Sequence, residues 1–311
     1  MSALVTPGRP LARRPNLGDR SLIVLTTLAT VIILLMLVIV VGDVVIGGSH
    51  VLSWQFISQA PTDGMTKGGI LPAIFGTVAL TLLMTLVAVP AGVATAVYLS
   101  EYAPADSRLA RAVRVCIANL AGVPSIVFGL FGLGFFIATV GRAIDVVAFH
   151  GQPTYGKPSL IWAAMTLSIL TLPVVVVSTE EALRAVPREL RDGSLALGAT
   201  KLQTIARVVL PQALGGILTG GILAVSRGAG EVAPIMFTGA AYFLPYLPTH
   251  LNDQFMNLGY HVYVLATQSP DVDRTKPLLY GTVLVLLLLT FLLNIVAIVI
   301  RTRFRRRLAS G

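Results

Sequence analysis

Two residues of opposite charge stand inside an otherwise apolar run: Arg227 and Glu231, within Ser226-Arg227-Gly228-Ala229-Gly230-Glu231-Val232-Ala233-Pro234. Four apart on a helix, they share one face. Counting about 1.5 Å per residue from Pro211 puts Arg227 roughly 24 Å along that run, beyond easy snorkelling to water. A charge so placed must be paired or line a wet cavity, so it carries a functional expectation. A guanidinium presents a planar fork suited to oxyanions, and a carboxylate beside it accepts a hydrogen bond or a proton. The plain alternative is a self-satisfied pair that fixes helix rotation. Gly216, Gly220, Ala224 and Gly228 recur every four residues and permit close helix approach, with Thr219 and Ser226 beside them. Thr77, Thr81 and Thr85 form another polar column, which either lines a pathway or bonds back to its own helix.

A second constellation is mechanical. In Glu180–Pro211, Val186, Leu190, Ser194 and Leu197 recur at helical spacing after Pro187, a residue tolerated in a first turn. Gly198 interrupts; Thr200 and Gln203 then form a capping box, and Leu202, Ile205, Ala206 and Val209 share one face before Pro211. This pattern predicts two short helices joined at a glycine. It suits an ordinary amphipathic interfacial loop or a rigid element that moves as a body. The chain has no G-x-x-x-x-G-K-[ST] phosphate loop, and neither Gly156-Lys157-Pro158 nor the surroundings of Lys67 and Lys201 fit one. It is therefore expected to be no ATPase and no enzyme, and nothing in it implies a cofactor or a metal.

The elements that position these residues are read from composition. Of 311 residues 55% are hydrophobic and 12% charged, about half the charged share of a soluble domain, and the mean hydropathy is +0.83. The net charge of +9 would suit nucleic acid, but the cations sit between the apolar runs, where they set topology instead. Six runs are long enough to cross a bilayer: about Leu22–Ile46, Leu71–Tyr98, Cys116–Val140, Ser159–Ser178, Ala213–Ala241 and Leu278–Ile300. The first follows a basic stretch resembling a signal peptide, but exceeds the apolar length of one and is read as a retained helix. With the N-terminus inside, 17 of the 23 Lys and Arg fall on the inner side, which predicts two cytoplasmic termini. The expected organisation is all-α: a basic tail at 1–20, one six-helix membrane domain at 21–300 containing the loop 180–211, and a basic tail at 301–311. Leu258–Thr267, semi-apolar and Tyr-rich, is too short to cross and suits an interfacial or re-entrant piece. Cys116, the one cysteine, is expected to pack.

Asp192-Gly193-Ser194, three residues, Gly198, nine residues, then Val208-Val209-Leu210-Pro211 resembles the EAA-xxx-G-x9-I-x-LP signature of ABC-importer permeases. Here Asp-Gly-Ser stands where Glu-Ala-Ala is usual. Thr219-Gly220-Gly221-Ile222-Leu223-Ala224 with the Ser226–Pro234 stretch, and Gly122-Val123-Pro124-Ser125-Ile126-Val127-Phe128-Gly129-Leu130, resemble motifs of the PstA-type permeases of bacterial phosphate importers. The resemblance covers about Gly69 to Ala241. It implies the type I ABC-importer transmembrane fold in the inner membrane. It also implies a sister permease, two ATP-binding cassette ATPase subunits and an extracytoplasmic phosphate-binding protein as partners. It assigns Asp192, Gly193, Ser194, Gly198, Leu210 and Pro211 to an ATPase-coupling loop, and Arg227, Glu231, Ser226 and Thr219 to the phosphate pathway. The competing readings are an ABC permease for another oxyanion, a proton-coupled secondary transporter working through Glu231, and a phosphate-sensing membrane protein.

Overall fold

The computed structural model describes residues 17–63, 67–104, 106–269 and 271–309. Residues 1–16 of the basic N-terminal stretch, and 310–311, lie outside them. The chain divides into two units, residues 1–46 and 47–311. The first is occupied, where described, by α1 (Leu17–Ser49), which is apolar on every face and exposed along most of its length. That suits a helix solvated by lipid.

In the second unit, α2 (Trp54–Ser58) and a two-residue antiparallel pair, β1 (Pro61–Thr62) with β2 (Lys67–Gly68), lead into α3 (Leu71–Val97). A wide π-helical turn, Tyr98–Tyr102, extends α3, and the separate helix α4 (Arg108–Leu120) follows. The next crossing is made of α5 (Ser125–Phe131), a π-helical stretch at Gly132–Gly141 and α6 (Arg142–Ala148). Then come α7 (Leu160–Arg184) and α8 (Arg188–Ala196). A continuous run follows: α9 (Lys201–Thr204), a π-helical turn Ile205–Val209 and α10 (Leu210–Ala229). The chain ends with α11 (Ala233–Thr238), α12 (Leu258–Thr267) and α13 (Val272–Ala309). Among the described residues, six helical runs have the length and apolarity to cross a membrane: Arg20–Ser49, Leu71–Tyr102, Ser125–Ala148, Leu160–Arg184, Lys201–Ala229 and Val272–Phe304.

Three expectations are corrected. The third crossing begins at Ser125, not Cys116: Gly122 and Pro124 break the chain, and Cys116 sits exposed on α4, whose arginines make it amphipathic. The fifth crossing does not run to Ala241; it stops at Ala229 and restarts as α11. The second half of the 180–211 segment is not a free helix but the beginning of the fifth crossing. Pro211 does not stop it, because the π-helical turn just before widens the backbone where the proline ring would strike a carbonyl. The basic stretch from Arg301 likewise continues α13 through Ala309.

α7 is the buried centre of the second unit, packing against both α3 and α10. Toward the 180–211 end, Ala96, Leu99, Ile117, Val176, Leu183, Val209 and Ala213 form one apolar cluster; Leu80, Met84, Leu167, Ile235 and Phe255 form another farther along. The threonine column bonds back into its own helix: Thr77, Thr81 and Thr85 each donate to the carbonyl four residues earlier at 2.7 Å. Thr77 also accepts from the Leu258 amide at 2.9 Å, which pins α12 against α3.

Candidate functional site

The sequence makes α10 hard to continue past Ala229. Gly228 and Gly230 weaken it, and Pro234 would face the carbonyl of Gly230 in a continuous helix. The amides of Gly230 and Glu231 instead turn back to the carbonyls of Arg227 and Gly228, each at 3.3 Å, and α11 starts with Ala233-Pro234. Arg227 thus lies in the last turn of α10, where its charge complements the helix dipole, while Glu231 lies in the link beyond. Arg227 Nε and Glu231 Oε1 are 3.7 Å apart, with side chains 39% and 20% exposed. At that distance the two are an ion pair without a hydrogen bond. Among the described residues no other side chain pairs with either group, so most guanidinium donors remain open to a ligand.

Surrounding glycines set the position of this break. The small-residue stripe lies against α7 and α3: Gly216 meets Ala182, Gly220 meets Ser178, Ala224 is fully buried, and Gly228 sits on Met84. A methyl group built on Gly129 would come within 2.9 Å of Pro234, and one on Gly259 within 2.7 Å of Val232. Hence the Gly122–Leu130 motif, through α5, and α12 both close on the α10–α11 link.

Ser226 and Thr219 do not join the pair. Ser226 Oγ donates to Asn294 Oδ1 at 2.5 Å, and Thr219 Oγ1 accepts from Arg301 Nη1 at 3.1 Å. Both face α13, seven residues apart along α10, so they tie two crossing helices together.

At the other end of the Lys201–Ala229 run, Asp192, Gly193 and Ser194 lie on α8, with Ser194 Oγ 2.9 Å from Thr204 Oγ1. Gly198 has φ +85°, the left-handed conformation that turns the chain between α8 and α9. The capping box is complete: the Gln203 amide donates to Thr200 Oγ1, and the Thr200 amide donates to Gln203 Oε1. Leu210 and Pro211 are half-buried at the start of α10, while Leu195, Leu197 and Leu202 point outward, Leu197 being 92% exposed. Apolar side chains presented this way on a turn suit burial by another protein.

The sequence reading missed what holds α8. Arg191 Nη2 donates to Glu101 Oε1 at 2.9 Å and to the Leu183 carbonyl at 2.7 Å, and Nη1 donates to the Val186 carbonyl at 2.6 Å. Nearby, Arg114 reaches Glu180 at 3.3 Å and the Leu99 carbonyl at 2.6 Å, and Arg184 reaches Glu180 at 3.5 Å. Arg191–Glu101 and Arg114–Glu180 join residues 90 and 66 apart, and no local pattern announces them.

Residues 88–310 match the model for binding-protein-dependent transport system inner membrane components. The chain belongs to this family. The phosphate transport system permease protein PstA 1 of Mycobacterium tuberculosis is 36% identical over 243 residues, 77% of this chain and 72% of that protein. A probable ABC transporter permease protein of Bacillus subtilis, YqgI, is 35% identical over 195 residues, 63% of this chain; the match spans only 61% of the Bacillus protein. A chain of the bacterial alginate ABC transporter, solved with its alginate-bound periplasmic protein, superposes with a TM-score of 0.64 at 16% identity. That likeness of fold covers 90% of this chain and 93% of the other. As a member of this inner-membrane family with six crossing helices, the protein is a multi-pass inner-membrane permease subunit of an ABC transporter. The family match contains the whole 180–211 segment and the α10–α11 break, and it leaves out α1, α2 and most of α3.

Proposed function

We propose that this chain is the permease subunit of an ATP-driven importer of inorganic phosphate. In this reading it forms half of the pathway with a sister permease. Of two ATPase subunits, one docks on the 180–211 segment and the other on the sister permease, and an extracytoplasmic binding protein delivers the cargo. Both termini then face the cytoplasm, in keeping with the bias of Lys and Arg toward that side. The observation that carries the substrate is the likeness to the mycobacterial phosphate permease across 77% of the chain. The geometry of the break supports it. Beyond its 3.7 Å ion pair with Glu231, the guanidinium of Arg227 makes no hydrogen bond among the described residues, which leaves its fork open to phosphate oxygens. Glu231, held 3.7 Å away, would repel a fully ionised oxyanion but accepts a hydrogen bond from the protonated oxygen of H2PO4⁻ or HPO4²⁻. Sulfate lacks that proton near neutral pH.

The test is radiolabelled phosphate uptake in cells lacking this subunit but expressing its partners. Wild type restores uptake. Arg227→Ala, assembled in the membrane at wild-type level, loses about 10- to 100-fold, as expected for charged hydrogen bonds of about 1.5–3 kcal/mol. A wild-type assembly that moves no phosphate overturns the substrate reading. An Arg227→Ala assembly with unchanged uptake removes Arg227 from the pathway.

A further inference from the structure

We propose that Arg191 and Glu101 form the joint through which movement of α8 reaches the crossing helices. The proposal rests on the reading of 180–211 as the ATPase-docking segment, and adds the positioning residues that would make docking mechanically effective.

The case begins with what α8 lacks. None of its nine residues is buried, so no apolar anchor holds it to the helical bundle. Its leucines, Leu190 and Leu195, are exposed. A helix attached so lightly would pivot freely under load unless polar contacts fix it, and few do so. Ser194 meets Thr204, which belongs to the same 180–211 segment. Arg191 is the side chain that leaves the segment: from the middle of α8 its guanidinium spans the turn after α7, capping the carbonyls of Leu183 and Val186, and it ends on Glu101. One side chain therefore connects α8 to the ends of the second and fourth crossing helices.

Burial makes this connection stiff. The Arg191 and Glu101 side chains are 19% and 10% exposed, so parting them leaves two poorly solvated charges and two uncapped helix carbonyls. Displacing α8 thus pulls on α3 and α7 sooner than it breaks the joint. Glu101 also sits in the π-helical turn Tyr98–Tyr102, a conformation with slack that a regular α-helix lacks. Beside the joint lies a cavity of about 500 Å³, lined by Ser100, Glu101, Arg184, Arg188 and Arg191. The neighbouring Arg114–Glu180–Arg184 cluster binds α4 to α7 and to the Leu99 carbonyl of the Tyr98–Tyr102 turn. Among the described residues it makes no hydrogen bond or ion pair to α8, so it controls for disturbance of the turn itself.

The experiment uses the complete transporter reconstituted in proteoliposomes, measuring phosphate imported per ATP hydrolysed. Glu101→Ala and Arg191→Lys should still assemble and retain the ATPase subunits in pull-down. A lysine ammonium cannot fork across the carboxylate and both carbonyls. The yield per ATP should fall about tenfold in both, within the 5- to 150-fold range of typical site-to-site coupling. Arg114→Lys should keep the wild-type ratio. Glu101→Gln, which keeps shape and one acceptor, should fall between. A wild-type ratio in the assembled Glu101 and Arg191 variants overturns the joint. So does an equal loss in Arg114→Lys, or the failure of every joint variant to reach the membrane, since either makes the contact a general folding requirement. Failure of the docking reading itself looks different: the unsubstituted chain then does not retain the ATPase subunits.

Discussion

Two adjacent glycines on α10 should respond in opposite directions to the same methyl group. Gly220 faces α7, and a Cβ there would lie 2.8 Å from Ser178 Cβ and 3.3 Å from its Oγ. Ser178 Cβ is fixed to the α7 backbone and cannot rotate away, so Gly220→Ala must push two crossing helices apart. Gly221 faces Val89, where the new methyl would rest at 3.5 Å from Cγ2, an ordinary contact. Both substitutions gain about 0.8–1 kcal/mol of helix propensity. Only Gly220→Ala also incurs overpacking, of about 1–3 kcal/mol. Gly221→Ala should therefore stabilise by about 1 kcal/mol, and Gly220→Ala should be neutral or destabilise by up to about 2 kcal/mol. Thermal unfolding of the two proteins in one detergent at one pH reads the difference. At about 2–4 °C per kcal/mol for chains of 150–250 residues, a gap of a few degrees is expected, with Gly220→Ala melting lower. If Gly220→Ala melts at or above Gly221→Ala, the close α7–α10 seam is refuted, and with it the argument that the seam sets the position of the break.

Three other outcomes follow from the same geometry. Gly198→Ala has open space around it but a left-handed backbone, costing about 1–2 kcal/mol, whereas Asn tolerates that conformation; pull-down of the ATPase subunits should weaken with Ala and be largely spared with Asn. Glu231→Gln should raise sulfate uptake relative to phosphate in competition assays, and equal ratios in wild type and variant would remove Glu231 from selection. His261 on α12 is 4% exposed, its Nδ1 has no hydrogen-bond partner among the described residues, and burial pushes its pKa down from 6.5 to about 4. The unfolded chain takes up a proton near pH 6.5 and the folded one only near 4, so this contribution is complete above pH 6.5 and about 3 kcal/mol is lost as pH falls toward 4. Melting curves between pH 7.5 and 5 should show the slope, and His261→Leu should flatten it.

Apolar length made the six crossings legible, and Leu258–Thr267 appears as a helix within the limits expected, because both signals are local. Two of the misplaced boundaries have one cause. Hydropathy averages over a window and passes across Gly122–Pro124 and Gly228–Pro234, where single prolines and glycines govern the backbone. The signal was present at Pro234, three residues past Glu231 and inside the run read as Ala213–Ala241. The capping box at Thr200 was legible to the atom because it closes within four residues. Arg191–Glu101, 90 residues apart, was not, since only the tertiary fold brings those charges together.

The correction at Pro211 changes how the two constellations relate. Read as separate features, the 180–211 loop and the Arg227–Glu231 pair need some third element to connect them. In the structure they are the two ends of one helical run, Lys201–Ala229, of 29 residues and so roughly 43 Å long. A rod of that length tilted by about 5° about one end displaces the other by roughly 4 Å. That displacement is about as large as the 3.7 Å separation of the Arg227–Glu231 pair. Glu231 lies beyond the rod's end, in a link held by Gly129 against Pro234 and Gly259 against Val232. Tilting the rod therefore moves Arg227 relative to Glu231 instead of carrying both together, which an unbroken fifth helix would have done. On the proposed reading, the break at Gly230 is what allows a movement begun at the ATPase to open or close an anion site inside the membrane.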